Sequence, residues 1–200
     1  MASWDVPAPP PVAPAEESSL VERARGGDAE AFRELVEKYQ DRVFALARRM
    51  VGDREEAEEV AQDAFLRAWR ALPRFRADAR FSTWLYRIAY RRGCDAVASL
   101  RARRHRERGL EMAESIADPA PAAGPSGGEE LERLVASLPE AQRAAITLFY
   151  YQDRSLGEVA RILGLPEGTV KTHLHRARAA LRRALQRGEA RERGHGLHRV

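Results

Sequence analysis

Between Ala57 and Leu72, apolar residues recur at positions 57, 60, 61, 64, 65, 68, 69 and 72, and Pro73 follows at once. Steps of three and four put one side of a helix into a core and leave the other in water. A strand needs alternation at every second residue, and no segment of this chain sustains that for long. The pattern predicts an all-α fold. The flanking sequence follows the same rule. Asp28 is placed to cap a helix whose inner face carries Phe32, Leu35, Val36, Tyr39, Val43, Leu46 and Met50, with Gly52 ending it. Asp53 and Glu56 have capping-box spacing at the next start. Ser82 or Thr83 is expected to cap a third helix, with Leu85, Ile88 and Ala89 turned inward.

Periodicity divides the chain. Residues 1–18, with the run PAPPPVAPA, are expected to be a disordered tail. Residues 19–100 form a first helical domain. Residues 101–130 lose the period in an arginine cluster followed by ADPAPAAGPSGG, and are expected to be a flexible linker that lets two domains move. Residues 131–187 form a second helical domain, and residues 188–200 a fraying tail. Charge is uneven across these parts. The chain carries +4 overall, but residues 131–200 alone carry +6. Nucleic acid is the partner such a basic end fits.

The second domain contains the segment GLPEGTVKTHLHRAR, Gly164 to Arg178. Ser155, with Glu158 at the capping-box position, starts a helix carrying Val159, Ile162 and Leu163 inward. Gly164 turns the chain, and Pro166 suits the first position of another helix. From Lys171 to Arg187 that helix has six Lys or Arg and no acid. Helix, glycine turn and basic helix make a helix-turn-helix, whose second helix enters the major groove. With Val170, Leu174 and Ala177 facing the core, Lys171, Thr172, His175 and Arg176 face outward near the helix start, where base edges are read. Arg178, Arg182 and Arg183 lie further on and suit phosphates or solvent.

The first domain has a different electrical character. Asp53 to Asp63 holds six acids and one arginine; Arg67 to Arg92 holds eight arginines and one acid. Five aromatics stand between Phe75 and Tyr90 among the arginines: Phe75, Phe81, Trp84, Tyr86 and Tyr90. Rings stack on unpaired bases while arginines hold the backbone, so the segment suits single-stranded DNA. Phe81 and Tyr90 fit a core role equally well. The acidic helix fits either a solvated face or docking on a basic protein partner.

Little in the sequence supports catalysis. All five histidines follow residue 104 without a carboxylate cluster, and no Gly-rich phosphate loop or HExxH motif is present. Neither a metal nor a cofactor is expected. Cys94 is the single cysteine, expected on a helix face, so no disulfide can form within the chain. The start of the chain lacks the basic-then-apolar pattern of a signal peptide, and no apolar run spans a membrane, so a cytoplasmic protein is expected.

The ordered motifs GDAEAFRELVEKYQDRVFALARRM, EEVAQDAFLRAWRAL, FSTWLYRIA and LPEAQRAAITLFYYQDRSLGEVARILGLPEGTVKTHLHRARAAL resemble an extracytoplasmic-function (ECF) sigma factor of the sigma-70 family. The resemblance covers roughly residues 19–100 and 131–187. It implies a non-enzymatic subunit that directs core RNA polymerase to promoters and helps melt them. On that likeness Glu59, Asp63, Phe65, Arg67 and Trp69 contact the clamp helices of the polymerase's largest subunit; Trp69 also falls on the apolar stripe. Arg74, Phe75, Arg76, Trp84, Tyr86 and Arg91 take the minus-ten element and its melting, although the family usually carries Asn where Arg91 stands. Ser155, Lys171, Thr172, His175, Arg176 and Arg178 take the minus-thirty-five duplex. The likeness also implies an anti-sigma partner and a role in stress response. A free-standing helix-turn-helix regulator is the alternative; it leaves the arginine–aromatic segment without a task.

Overall fold

A computed structural model describes residues 14–111 and 127–195. The expected tail before Pro14, the linker stretch 112–126 and residues 196–200 lie outside the described residues. Among the described residues every regular element is helical. Four helices come first: α1 (Pro14–Arg25), α2 (Ala29–Val51), α3 (Arg54–Ala71) and α4 (Phe81–Glu111). Four follow: α5 (Gly127–Ala136), α6 (Glu140–Ile146), α7 (Leu156–Leu163) and α8 (Glu167–His195).

Local chemistry sets the boundaries. The Asp28 carboxylate accepts from the amides of Glu30 at 3.0 Å and Ala31 at 3.1 Å, satisfying two donors that have no partner within the first turn of α2. The same bonds, and Arg23 beside it, hold the Asp28 carboxyl below its ordinary range. Asp53 caps α3 through the Glu56 amide at 3.1 Å. Only half of that capping box forms, because the Glu56 side chain is drawn to Arg103 at 2.9 Å. At α7 the box is complete: the Glu158 amide donates to Ser155 Oγ, and Glu158 Oε2 accepts from the Ser155 amide.

The structure departs from expectation at several helix ends, including α5, which begins at Gly127 within the expected linker. Helix α1 already begins at Pro14, so residues 14–18 are helical. Its Glu17 accepts from Tyr39 Oη at 2.7 Å and pairs with Lys38, which ties α1 to α2. Helix α4 starts at Phe81, so Ser82 and Thr83 are buried in its first turn and do not cap it. The same helix runs on to Glu111 through RARRHRERGLE, past the expected boundary at residue 100. Arginine, alanine and glutamate favour a helix without needing an apolar face, so periodicity overlooks them. For the same reason α8 continues to His195 beyond Arg187.

Helices α2, α3 and α4 pack on one another around Leu35, Val43, Leu46, Leu85 and Tyr86, all below 1% exposure. Gly93 permits the close crossing of α4 over α2; a Cβ there would stand 2.6 Å from Met50 Sδ. Helices α6, α7 and α8 pack around Leu148, Val159, Ile162 and Val170. Between α6 and α7 the chain makes a π-turn over Thr147–Tyr151. The two groups of helices touch: α7 lies on α4 and α6 on α2, within one continuous buried cluster.

Candidate nucleic-acid interface

Helix α8 owes its position to the turn before it. Gly164 sits at φ 69°, in the left-handed region, where its amide closes α7 by donating to the Ala160 carbonyl. After Pro166 the helix buries Val170, Leu174 and Ala177 and leaves Lys171, Thr172, His175, Arg176 and Arg178 exposed. The outward face expected from the sequence is thus present over two turns. Thr172 Oγ1 donates back to the Gly168 carbonyl at 2.9 Å, leaving its oxygen lone pairs as acceptors. Arg178 reaches Tyr150 Oη at 3.4 Å, whereas Lys171 and Arg176 make no hydrogen bond or ion pair among the described residues. Two unpaired cations on a short outward arc can meet phosphates and base edges with no internal bond to break. Ser155 is exposed at the start of α7, where Glu158 engages its hydroxyl.

Glu158 keeps its charge in a half-buried place. Burial alone would raise its carboxyl, but the Ser155 amide and hydroxyl, then Arg154 and Arg80, outweigh that and lower it.

The second surface begins where Pro73 ends α3 in a short 3-10 turn, Leu72–Arg74. Arg74 and Arg76 are exposed, and Phe75 between them is buried. Together with Pro73 and Arg25 of α1 they line an open cavity of about 340 Å³. Arg25 was not found from the sequence, because its nearness to the loop depends on how α1 folds back. In the same loop Ala77 has φ 57°, a conformation that costs a residue with a Cβ on the order of 1 kcal/mol.

The aromatics form a cluster of tilted and edge-on rings rather than a row of free platforms. Phe75 and Trp84 stand 4.9 Å apart, and Phe81 and Trp84 5.7 Å apart. Phe75, Phe81 and Tyr86 are buried; Trp84 and Tyr90 are half-buried. Trp84 and Tyr90 are therefore the rings of the expected set that still present a surface, while Phe75 and Tyr86 do not offer a stacking face in this arrangement. Tyr86 sits edge-on to Tyr39 at 6.4 Å, and burial raises its phenol above the ordinary value. Arg91 is exposed on α4, two turns beyond Trp84. Cys94 lies half-buried further along; burial first, then Glu140, pushes its thiol up to about 12.

On α3, Glu59, Asp63 and Arg67 recur at four-residue steps and share the outer face. Asp63 is engaged by Arg67 at 3.1 Å and by Arg92 of α4. Leu66 stands among them 53% exposed, the most open large apolar side chain described. The helical period places it outside the core, and that mismatch is the signal that would have found it. Phe65 and Trp69 occupy the next stripe inward, half-buried, with Trp69 4.8 Å from the Phe32 ring. Trp69 serves the core at least in part. Among the described residues no group of three or more His, Cys, Asp or Glu is placed to hold a metal ion, and no helix is long and apolar enough to cross a membrane.

Family models match both groups of helices. The family model for sigma-70 region 2 matches residues 35–105, and that for sigma-70 region 4 matches residues 128–181. The ECF RNA polymerase sigma factor SigW of Bacillus subtilis is 34% identical over 177 residues, covering 83% of this chain and 95% of its own. The RNA polymerase sigma-H factor of Pseudomonas aeruginosa is 37% identical over 183 residues, covering 86% and 94%. The ECF sigma-E factor of Escherichia coli K12 is 37% identical over 186 residues, covering 84% and 93%. Among solved structures, CnrH in complex with the cytosolic domain of CnrY superposes with a TM-score of 0.66 at 28% identity, over 86% of this chain and 97% of that one. The sigma factor RpoE of Bartonella quintana, in complex with the anti-sigma factor NepR, gives 0.60 at 25% identity, over 78% and 96%.

Proposed function

We propose a division of labour from one premise: the chain belongs to the extracytoplasmic-function sigma factors of the sigma-70 family, proteins that direct core RNA polymerase to promoters. The outer face of α3, with Glu59, Asp63, Leu66 and Arg67, docks on the polymerase clamp helices, with Phe65 and Trp69 supporting it from the inner stripe. The loop 73–80 and the start of α4 take the unpaired minus-ten strand. Arg74 and Arg76 hold phosphates there, and Trp84 supplies a stacking surface. Phe75, Tyr86 and Arg91 complete that region, Phe75 and Tyr86 by supporting it from the core and Arg91 from the exposed face of α4. Helix α8 reads the minus-thirty-five duplex with Lys171, Thr172, His175 and Arg176, while Arg178 and Ser155 flank the groove. The chain does no chemistry of its own; melting is driven by preferential binding of unpaired bases. It acts in the cytoplasm with polymerase. Because the similar sigma factor RpoE has been solved with the anti-sigma factor NepR, an anti-sigma partner belongs to the reading.

The observation that carries this reading is the pairing, in family order, of an arginine–aromatic loop with an unpaired basic recognition face. Run-off transcription with purified core polymerase tests it. Specific starts should require the chain, and no start on any promoter from the host genome would remove the reading.

A further inference from the structure

Arg25 has no task in that division of labour. It stands in the last turn of α1. Val21 and Ala24 anchor that helix in the core, and it packs against the turn Leu72–Arg74. Backbone bonds fix its end: the Gly26 amide donates to the Glu22 carbonyl at 3.1 Å, and the Asp28 amide to the Arg23 carbonyl at 3.1 Å. Arg25 is thereby carried to the loop cavity of about 340 Å³, whose lining it shares with Pro73, Arg74, Phe75 and Arg76. A cation in the last turn of a helix suits the helix dipole, and Arg25 Nη1 pairs with Glu22 at 2.8 Å. Neither role needs the guanidinium in a cavity wall. Its Nε is buried and meets no hydrogen-bond partner among the described residues, which is unfavourable for a donor. Arg74 and Arg76 make no hydrogen bond or ion pair among the described residues either, and no acid lines the cavity. Three guanidinium groups around one open space repel one another until an anion enters it.

We infer that Arg25 completes, with Arg74 and Arg76, a site for one backbone phosphate of the unpaired strand, the phosphate beside the base that stacks on Trp84. The inference rests on the promoter-reading function above and adds α1 to it. A guanidinium presents its N–H groups as a fork that matches phosphate oxygens. Arg74 and Arg76 approach the anion from the loop, and Arg25 approaches it from the helix end. The neighbourhood says which phosphate. Phe75 forms one wall of the cavity, and its ring stands 4.9 Å from that of Trp84. One ring therefore separates the anion site from the surface that takes the base. Stacking holds the base, and the three arginines hold the backbone next to it. A paired base is kept away from Trp84 by its partner strand, so both contacts together are open only to the melted form.

Anisotropy of a labelled single-stranded oligonucleotide, carrying the minus-ten sequence of a selected promoter, tests the inference with holoenzyme over a salt series. Arg25→Gln removes the charge and keeps a donor for Glu22. One phosphate contact on a single strand contributes about 0.7 to the slope of log K against log salt. The variant should lose that slope, which is roughly a fivefold rise in Kd at about 0.1 M salt. Its melting temperature should hold, and Arg25→Lys should keep the slope. Neutral methylphosphonate linkages, introduced one at a time, locate the phosphate. The parent chain should lose the same slope at one linkage beside the stacked base, and Arg25→Gln should lose nothing further there. A slope and Kd for Arg25→Gln equal to the parent's overturn the inference. So does a parent chain for which no linkage beside that base lowers the slope, a result that needs no variant to fold. In both cases the parent holoenzyme still binds the strand, and the promoter-reading function stands. A parent holoenzyme that binds no minus-ten strand defeats that function, and the inference with it.

Discussion

Arg176→Ala isolates the duplex-reading role. Arg176 is exposed on α8, and no hydrogen bond or ion pair holds it among the described residues. Its removal should leave stability within about 0.5 kcal/mol, as at other unengaged surface sites. If its guanidinium reads a base edge, the variant loses about 1–3 kcal/mol of discrimination. That corresponds to a rise in Kd of roughly 5- to 150-fold on the cognate minus-thirty-five element. The assay is fluorescence anisotropy of holoenzyme on a selected promoter duplex and on a scrambled one, repeated over a salt series. Base reading lowers cognate affinity selectively. A phosphate contact instead weakens both duplexes alike and reduces the salt slope by about 0.9. Leu174→Ala is the contrasting control. Leu174 is 5% exposed on the inner face of the same helix. Truncating it should cost about 2–5 kcal/mol of folding stability, seen as a lower melting temperature. An unchanged cognate Kd for Arg176→Ala, or a melting temperature that falls as it does for Leu174→Ala, would refute the assignment.

Three more outcomes are expected. Trp84→Ala should slow promoter opening more than recruitment, so a pre-melted template should restore run-off transcription; equal loss on both templates would contradict the stacking role. Leu66→Ala should weaken core polymerase binding, measured by competition with the parent chain, without lowering the melting temperature, because the side chain is 53% exposed. Burial and Glu140 push the Cys94 thiol up to about 12, so the reactive thiolate is nearly absent in the folded chain at pH 8. Alkylation there should run at least about 100-fold slower than in urea, where the thiol returns to its ordinary value near 8.5; equal rates would contradict the burial.

The parts of this fold that were legible in the sequence are those fixed by neighbours a few residues apart. Asp28, Gly52, Ser155 and Gly164 mark helix ends because the orphaned amides and carbonyls of a helix are satisfied locally. The inner faces of α2, α3 and α8 follow from period alone. What stayed hidden depends on distant partners. The end of α4 at Glu111 lies in a run with helix propensity but no apolar stripe. The contribution of Arg25 to the loop cavity depends on α1 folding back. Phe75 and Tyr86 read as stacking rings from their arginine neighbours, yet their burial is decided by Phe81, Trp84 and Tyr39. Gln152 is the clearest case. A glutamine in a turn looks like a solvent residue, and only a contact 66 residues away in sequence makes it a buried bridge.

The account turns on delivery of polymerase to a two-part promoter followed by strand separation. Permanganate footprinting of thymines across the minus-ten region of a selected promoter tests both at once. Reactive thymines should appear only when the chain and core polymerase are present together, and should vanish when the minus-thirty-five element is scrambled. Thymines reactive with core alone, or none with both although the chain binds core, would contradict it.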